Sequence, residues 1–364
     1  MSTQAVDKEP SQQQNEPSTH YFHAEAHALS GELEHPIKQT LPRLAQVVLK
    51  NSRRSDHITE TVDATNLEGL VSVTAAHSRV SGVKVEKKAR WATDHSGWIT
   101  LSTSIVEGLN VFEIVTADRV VSQVSTEHPF VQGHVPRVTF LGTQFKNLAV
   151  SGFPVPLELD LAFCGKKPKQ DRPYLLEPDF LRKAQKQTAK VCGMLGVEVK
   201  GLDEILKMID AEEMEEFKTD MIAAQVPGDR RDETDIPTDL KKCFAGRLEE
   251  INRLINDREN GREIGPEREI TCSLVKKIGP IPIPGVYAVG NVLVIPDFGW
   301  VGLAEIKVGI KPAEKVPYGE KENGNQRPTN YFTLTMLDMQ LGCVGGGNLQ
   351  AATSTANGSH GPGH

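Results

Sequence analysis

Between residues 20 and 164, apolar and polar side chains alternate over short runs, the two-residue period of a strand with one face in a core. The first run, HYFHAEAHALSGELEH (20–35), puts Phe22, Ala24, Ala26 and Ala28 on one side of an extended chain, breaks at Gly31 and resumes at Leu33. LEGLVSVTAAHSRVSGVKVE (67–86) and VEGLNVFEIVTADRVVSQVSTE (106–127) are dense in β-branched residues and alternate alike. They also share Glu68-Gly69-Leu70 with Glu107-Gly108-Leu109, and Val73-Thr74-Ala75 with Val115-Thr116-Ala117, as a duplicated strand pair would. A third block (136–163) sets Val138, Phe140, Leu157, Leu159 and Leu161 at alternate positions around a turn from Gly152 to Pro156. Together these runs predict an antiparallel meander.

The period changes after Gly165. Residues 177–196 begin with Pro and Asp, space Phe180, Ala184, Val191 and Leu195 as a helix does, and end near Gly. Residues 202–225 predict a second helix, and 237–261 a third on Leu240, Phe244, Leu248, Ile251 and Ile255, with the charged remainder a solvated face. Strand patterns return over 268–278, 285–310 and 330–343. The order predicts an α+β, mainly β fold: an antiparallel β-sandwich or barrel-like sheet formed by the N- and C-terminal parts (19–165 and 267–344), with a helical insertion (166–266). Residues 1–18, rich in Gln, Ser, Glu and Pro, read as a disordered tail, and the small-residue run 345–364 as a flexible low-complexity tail.

A chain of 364 residues, 38% of them apolar, has enough material for a large core. The formal charge of −7, with Lys and Arg interleaved among acids, speaks against nucleic acid as a partner. The first residues hold no basic region followed by an apolar run, and no stretch approaches the ~20 apolar residues of a membrane-crossing helix. The expectation is no transmembrane segment and a cytoplasmic location, or export by a route without a classical signal peptide. Five widely separated cysteines fit a reducing compartment and buried apolar roles.

The histidine-bearing first run tests for metal chemistry. On a strand His20 faces away from His23 and His27, and those two stand roughly 13 Å apart, whereas ligands of one zinc must each lie within ~2 Å of it. No metal or other cofactor is therefore expected. Asp118 and Arg119, with Glu127 and His128, form the densest ionisable group of the β region. They suit general acid–base work if buried, and otherwise an ion pair at a strand bend and a strand exit. Ser102, Ser104, Ser122 and Ser125 alternate as a polar sheet face does. In VIPDFGWVGLAEIKVG, Phe298 and Trp300 flank Gly299; they read as caps on the core, with a sugar-binding platform as the alternative. No nucleophile elbow, dinucleotide fingerprint or His-Glu-x-x-His helix occurs, and the Gly345 run lacks the Lys and Ser/Thr of a phosphate loop.

Several of these segments recur in a set order: Ser30-Gly31 closing the Ala-rich strand, Val115–Asp118, Phe145–Val155, Ile295–Ile306 and Phe332–Gly342. In that order the β portions resemble a group of uncharacterised bacterial β-rich proteins that includes the choice-of-anchor proteins. The resemblance implies a β-rich, non-catalytic fold. This chain departs from the exported members in its helical insertion and in its lack of a signal peptide. The expectation is a structural or binding protein, self-assembling as a homo-oligomer through strand edges or docking a protein partner through the insertion. The rival is a metal-dependent hydrolase with its site near His23/His27 or Asp118/His128.

Overall fold

The computed structural model describes residues 19–52, 54–85, 97–129, 135–168, 173–211, 213–215, 236–262, 268–311, 329–342 and 346–361. The predicted N-terminal tail, and residues 216–225 of the predicted second helix, lie outside them. The described strands are β1 (Thr19–Leu33), β2 (Gln39–Leu44), β3 (Val47–Ser52), β4 (Asp56–Leu67), β5 (Val71–Val85), β6 (Gly97–Val111) and β7 (Val115–Pro129), then the short β8 (Arg137–Thr139), β9 (Gln144–Lys146), β10 (Ala149–Val150), β11 (Phe153–Pro154) and β12 (Leu157–Leu159). Helices α1 (Pro178–Met194), α2 (Leu202–Lys207) and α3 (Thr238–Glu259) follow. The chain returns to β13 (Glu269–Ser273), β14 (Val275–Ile278), β15 (Tyr287–Val289), β16 (Val292–Ile295), β17 (Gly299–Lys311), β18 (Thr329–Leu341) and β19 (Gly347–Gly361).

Two open antiparallel sheets pack face to face. One runs β15-β16-β17-β18-β19-β1-β2, with β13 on β17 and β3 on β1; the other runs β11-β10-β7-β6-β5-β4, with β8 and β9 on β7. The architecture is a sandwich, so the barrel-like alternative falls. The meander β4 to β7 forms as the alternation predicts. The repeat does not hold as structure: Glu68-Gly69-Leu70 makes the turn between β4 and β5, while Glu107-Gly108-Leu109 lies inside β6.

The largest correction concerns the C-terminus. Residues 347–361 of the run read as a flexible tail form β19, flanked on one side by β1, from Thr19 opposite Gly361 to Leu33 opposite Gly347, and on the other by β18, while 345 and 362–364 lie outside the described residues. Its small residues have a packing reason. Facing strands of the two sheets, β1 and β19 against β6 and β7, bring Cα atoms within 8 Å, closer than the ~10 Å of ordinary stacked sheets. Only short side chains fit that seam, and Ala24, Ala26, Ala351, Ser354 and Ala356 are fully buried in it. Serines stitch it. Ser102 and Ser104 donate to the carbonyls of Glu25 and His27 at 2.6 and 2.8 Å, Ser122 to that of Leu334 at 3.0 Å, and Ser354 to that of Ser122 at 3.1 Å. These serines are therefore interior rather than a polar outer face; each bond contributes about 1 kcal/mol and satisfies a hydroxyl that burial would otherwise strand. Phe22 enters the seam because a glycine faces it: a Cβ on Gly82 would stand 2.3 Å from Phe22 Cγ.

Both sheets are creased. Pairing skips one residue per strand along a line through Ala28, Ala352, Met336 and Ala304 in one sheet, and one or two per strand along a line through Ala64, Thr74, Gly108 and Asp118 in the other. Ala304, Ala352 and Gly108 adopt positive φ there. The buried parity switches across the line: Phe332 and Leu334 give way to Leu337 and Met339, and Val120 and Val124 to Val115 and Ala117. A strand of fixed period two would swap faces only by slipping register; here neighbouring strands switch at the same level, so the register survives.

The helices complete the core. Phe180, Leu181 and Ala184 of α1, with Ile251 and Leu254 of α3, join the main hydrophobic cluster. A second cluster packs Val191, Leu195, Phe244 and Leu248 against Tyr287, Val292, Val294 and Trp300. The insertion is thus bonded into the sandwich rather than standing apart.

Candidate functional site

Helix α1 carries two adjacent stripes. Phe180, Ala184, Thr188 and Val191 are buried, and beside them Lys183, Lys186, Gln187 and Lys190 recur every three or four residues, so they leave the helix on one side. Gln187 pins the helix to β13: its Nε2 donates to the Ser273 carbonyl, and its Oε1 accepts from the Ser273 N–H, both at 2.9 Å. Strand β14, paired with β12, faces α1 across a gap and adds Lys276 and Lys277. Strand β15 and its turn to β16 supply Ala288, Gly290 and Asn291. At Gly290 φ is +60° and an added Cβ would lie 2.4 Å from Val191 Cγ2, so glycine lets this turn close on the helix.

These walls enclose a cleft of about 260 Å³. Among the described residues, five lysines line it against two carboxylates, Asp160 and Glu213. Lys183 Nζ donates to Asp160 Oδ2 at 2.7 Å and sits 4.4 Å from the Phe163 ring centroid. Lys190 donates to Glu213 Oε1 at 2.6 Å, and Lys186 Nζ stands 4.0 Å from Glu213 Oε2. Lys276 meets Glu158 of β12 at 2.6 Å. Lysines gathered on a concave surface attract anions, and Phe163, Val191 and Ala288 offer apolar contact for the body of an organic ligand.

Behind this floor lies a buried polar cluster. Arg247 of α3 clamps Glu305 of β17 through both carboxylate oxygens, at 2.7 and 3.0 Å, and Asn291 Nδ2 donates to Glu305 Oε1 at 3.1 Å. Glu305 is 2% exposed. Burial opposes the Arg247 charge, but Glu305, Cys243 and Asp338 outweigh it, and the guanidinium pKa stays above its ordinary value. Burial, then the Glu305 charge, lifts the neighbouring Asp338 carboxyl. Burial also pushes the thiols of Cys164 and Cys192 up to about 12 and lifts that of Cys272 well above its ordinary value, which suits packing rather than nucleophilic chemistry.

The residues singled out from the sequence do not converge. His23 and His27 lie on β1; His27 is buried, its Nε2 is 3.1 Å from Ser30 Oγ, and burial, aided by Arg43, lowers its pKa to about 4. Asp118 is exposed on the crease and accepts from Asn147 Nδ2 at 2.6 Å, while Arg119 stands 3.7 Å from Glu107. Glu127 and His128 sit at the far end of the same strand, with His128 buried 4.7 Å from the His20 ring. Ten residues of strand separate Asp118 from His128 by roughly 33 Å, so the two share no site. Among the described residues no three His, Cys, Asp or Glu side chains gather as a metal site would require. Phe298 is buried edge-on to Phe112 at 6.3 Å between centroids, and Trp300 is buried with its Nε1 donating to Asp239 Oδ2 of α3 at 3.1 Å. With both rings covered, the sugar-platform alternative is overturned. The cleft lysines were hidden in what the sequence presents as a solvated helix face; the three-and-four spacing beside the apolar stripe was their available signal.

Fold and site together define a two-sheet sandwich closed by helices, with a cationic cleft at their junction. A family model described as "Domain of unknown function (DUF8256)" matches residues 20–309. The chain belongs to this family, and the match takes in β1, the helices, both walls of the cleft and all but the end of β17. No curated protein and no solved structure matches it.

Proposed function

We propose that the protein is a non-catalytic binding protein that receives an anionic partner in the cleft between its helical insertion and its sandwich. The observation that carries this reading is the concentration of five lysines from α1 and β14 around a floor of Phe163, Val191 and Ala288. A binding role also fits the dispersal of the ionisable residues of β1 and β7, and the inert thiols. Equilibrium dialysis against citrate at rising sodium chloride is the test. Citrate binding that weakens with salt and is lost in Lys186→Gln/Lys190→Gln supports the reading; equal uptake by the wild type and that variant, or none by either, ends it.

A second reading rests on β4. This twelve-residue edge strand is largely exposed, and among the described residues it pairs with β5 alone. An open edge of roughly 40 Å is a template for another strand. Self-assembly through it predicts a homo-oligomer by light scattering that Thr61→Pro dissolves; a monomer at high concentration refutes it.

A further inference from the structure

We propose that the cleft takes a small organic dianion and that Glu213 is its built-in competitor, occupying the anion position between Lys186 and Lys190 until a ligand acid displaces it. This rests on the anionic-partner reading above and goes further in naming the ligand class and the step that admits it. One turn of helix separates the two lysines, about 6 Å along the axis. The Glu213 carboxylate spans them, with Oε1 2.6 Å from Lys190 Nζ and Oε2 4.0 Å from Lys186 Nζ. A carboxylate held this way marks where an acid group of a ligand sits. The second acid position lies toward Lys183, one turn back, where Asp160 makes the matching contact at 2.7 Å.

The cleft also has apolar lining, from Phe163, Val191 and Ala288, so the ligand body is a ring or short hydrocarbon. The volume, about 260 Å³, lies below the ~300–1,000 Å³ typical of drug-sized ligands and fits a ring-sized molecule. Glu213 is free to leave. Its side chain is 43% exposed, and it belongs to neither α1 nor β14. Its partner Lys190 is 14% exposed, so what Glu213 gives up on leaving is a half-buried contact, which a bound dianion offsets with two charge-assisted contacts.

Calorimetric titration of the full chain with benzene-1,3-dicarboxylate at low salt tests this, alongside Glu213→Gln, Lys190→Gln and the monoacid benzoate. The expected result is wild-type binding that Glu213→Gln tightens about fivefold, as the loss of a competing ion pair does, while Lys190→Gln weakens it about tenfold or more. Benzoate binds about tenfold more weakly than the diacid. If the diacid binds and Lys190→Gln still weakens it, but Glu213→Gln binds no tighter, the competitor role is overturned and the anion reading stands. Equal affinity for benzoate overturns the dianion. No binding by the wild type or by Glu213→Gln sinks this inference, and the citrate result then decides whether the broader reading falls with it.

Discussion

Replacing Arg247 with Met keeps the aliphatic stem of the side chain and removes the guanidinium that holds Glu305 at 2.7 and 3.0 Å. What stays behind is a carboxylate 2% exposed, with Asn291 as its remaining clamp at 3.1 Å. Removing one member of a buried pair costs about 3–5 kcal/mol, because the other charge keeps its desolvation penalty without its partner. At roughly 1.3 °C per kcal/mol for a chain of this size, melting falls by about 4–6 °C. The double variant Arg247→Met/Glu305→Met removes both charges and recovers most of the loss. Urea denaturation followed by far-ultraviolet circular dichroism measures both. A single variant costing under ~1 kcal/mol would show that α3 is not docked on β17 through this pair; a double variant as weak as the single would refute the desolvation argument.

Other consequences follow from the seam and from β1. Burial holds the His27 pKa near 4 against an ordinary 6.5, so the unfolded chain takes up the proton first as pH falls through that window. Stability therefore drops by roughly 3 kcal/mol between pH 7 and 4, and His27→Gln removes that share of the acid sensitivity; an unchanged pH profile contradicts it. Gly82→Ala drives a Cβ against the Phe22 ring and costs about 1–3 kcal/mol by overpacking, readable as a lower urea midpoint. Truncation after Val344 strips β19 from between β1 and β18 and yields aggregated chain on expression; a well-folded monomer would restore the tail reading.

The legible part of the fold was the part with contrast. β5, β6 and β7 alternate Val with polar residues, and α3 repeats Leu240, Phe244 and Leu248, so pattern alone revealed them. β19 was illegible for the opposite reason: in a seam where facing Cα atoms come within 8 Å, burial selects Ala, Ser and Gly, and the composition of a buried strand then copies that of a linker. The crease added a second disguise, since a shared stutter at Ala352 and Ala28 breaks the period two on which strand recognition depends. The cleft needs Lys183 of α1 and Lys276 of β14 brought together from within the insertion and beyond its end, and no local window contains both. Phe298 and Trp300 were visible as an aromatic pair, but their roles depend on Phe112 and Asp239, which lie far off in sequence.

The cationic cleft as a ligand site is tested most directly by reading its lysines one by one. Reductive methylation with ¹³C-formaldehyde gives each Lys its own two-dimensional resonance, and a titration with benzene-1,3-dicarboxylate then reports where the anion goes. The account predicts saturable shifts confined to Lys183, Lys186, Lys190, Lys276 and Lys277. Small, unsaturable shifts spread over lysines across the whole surface would contradict it.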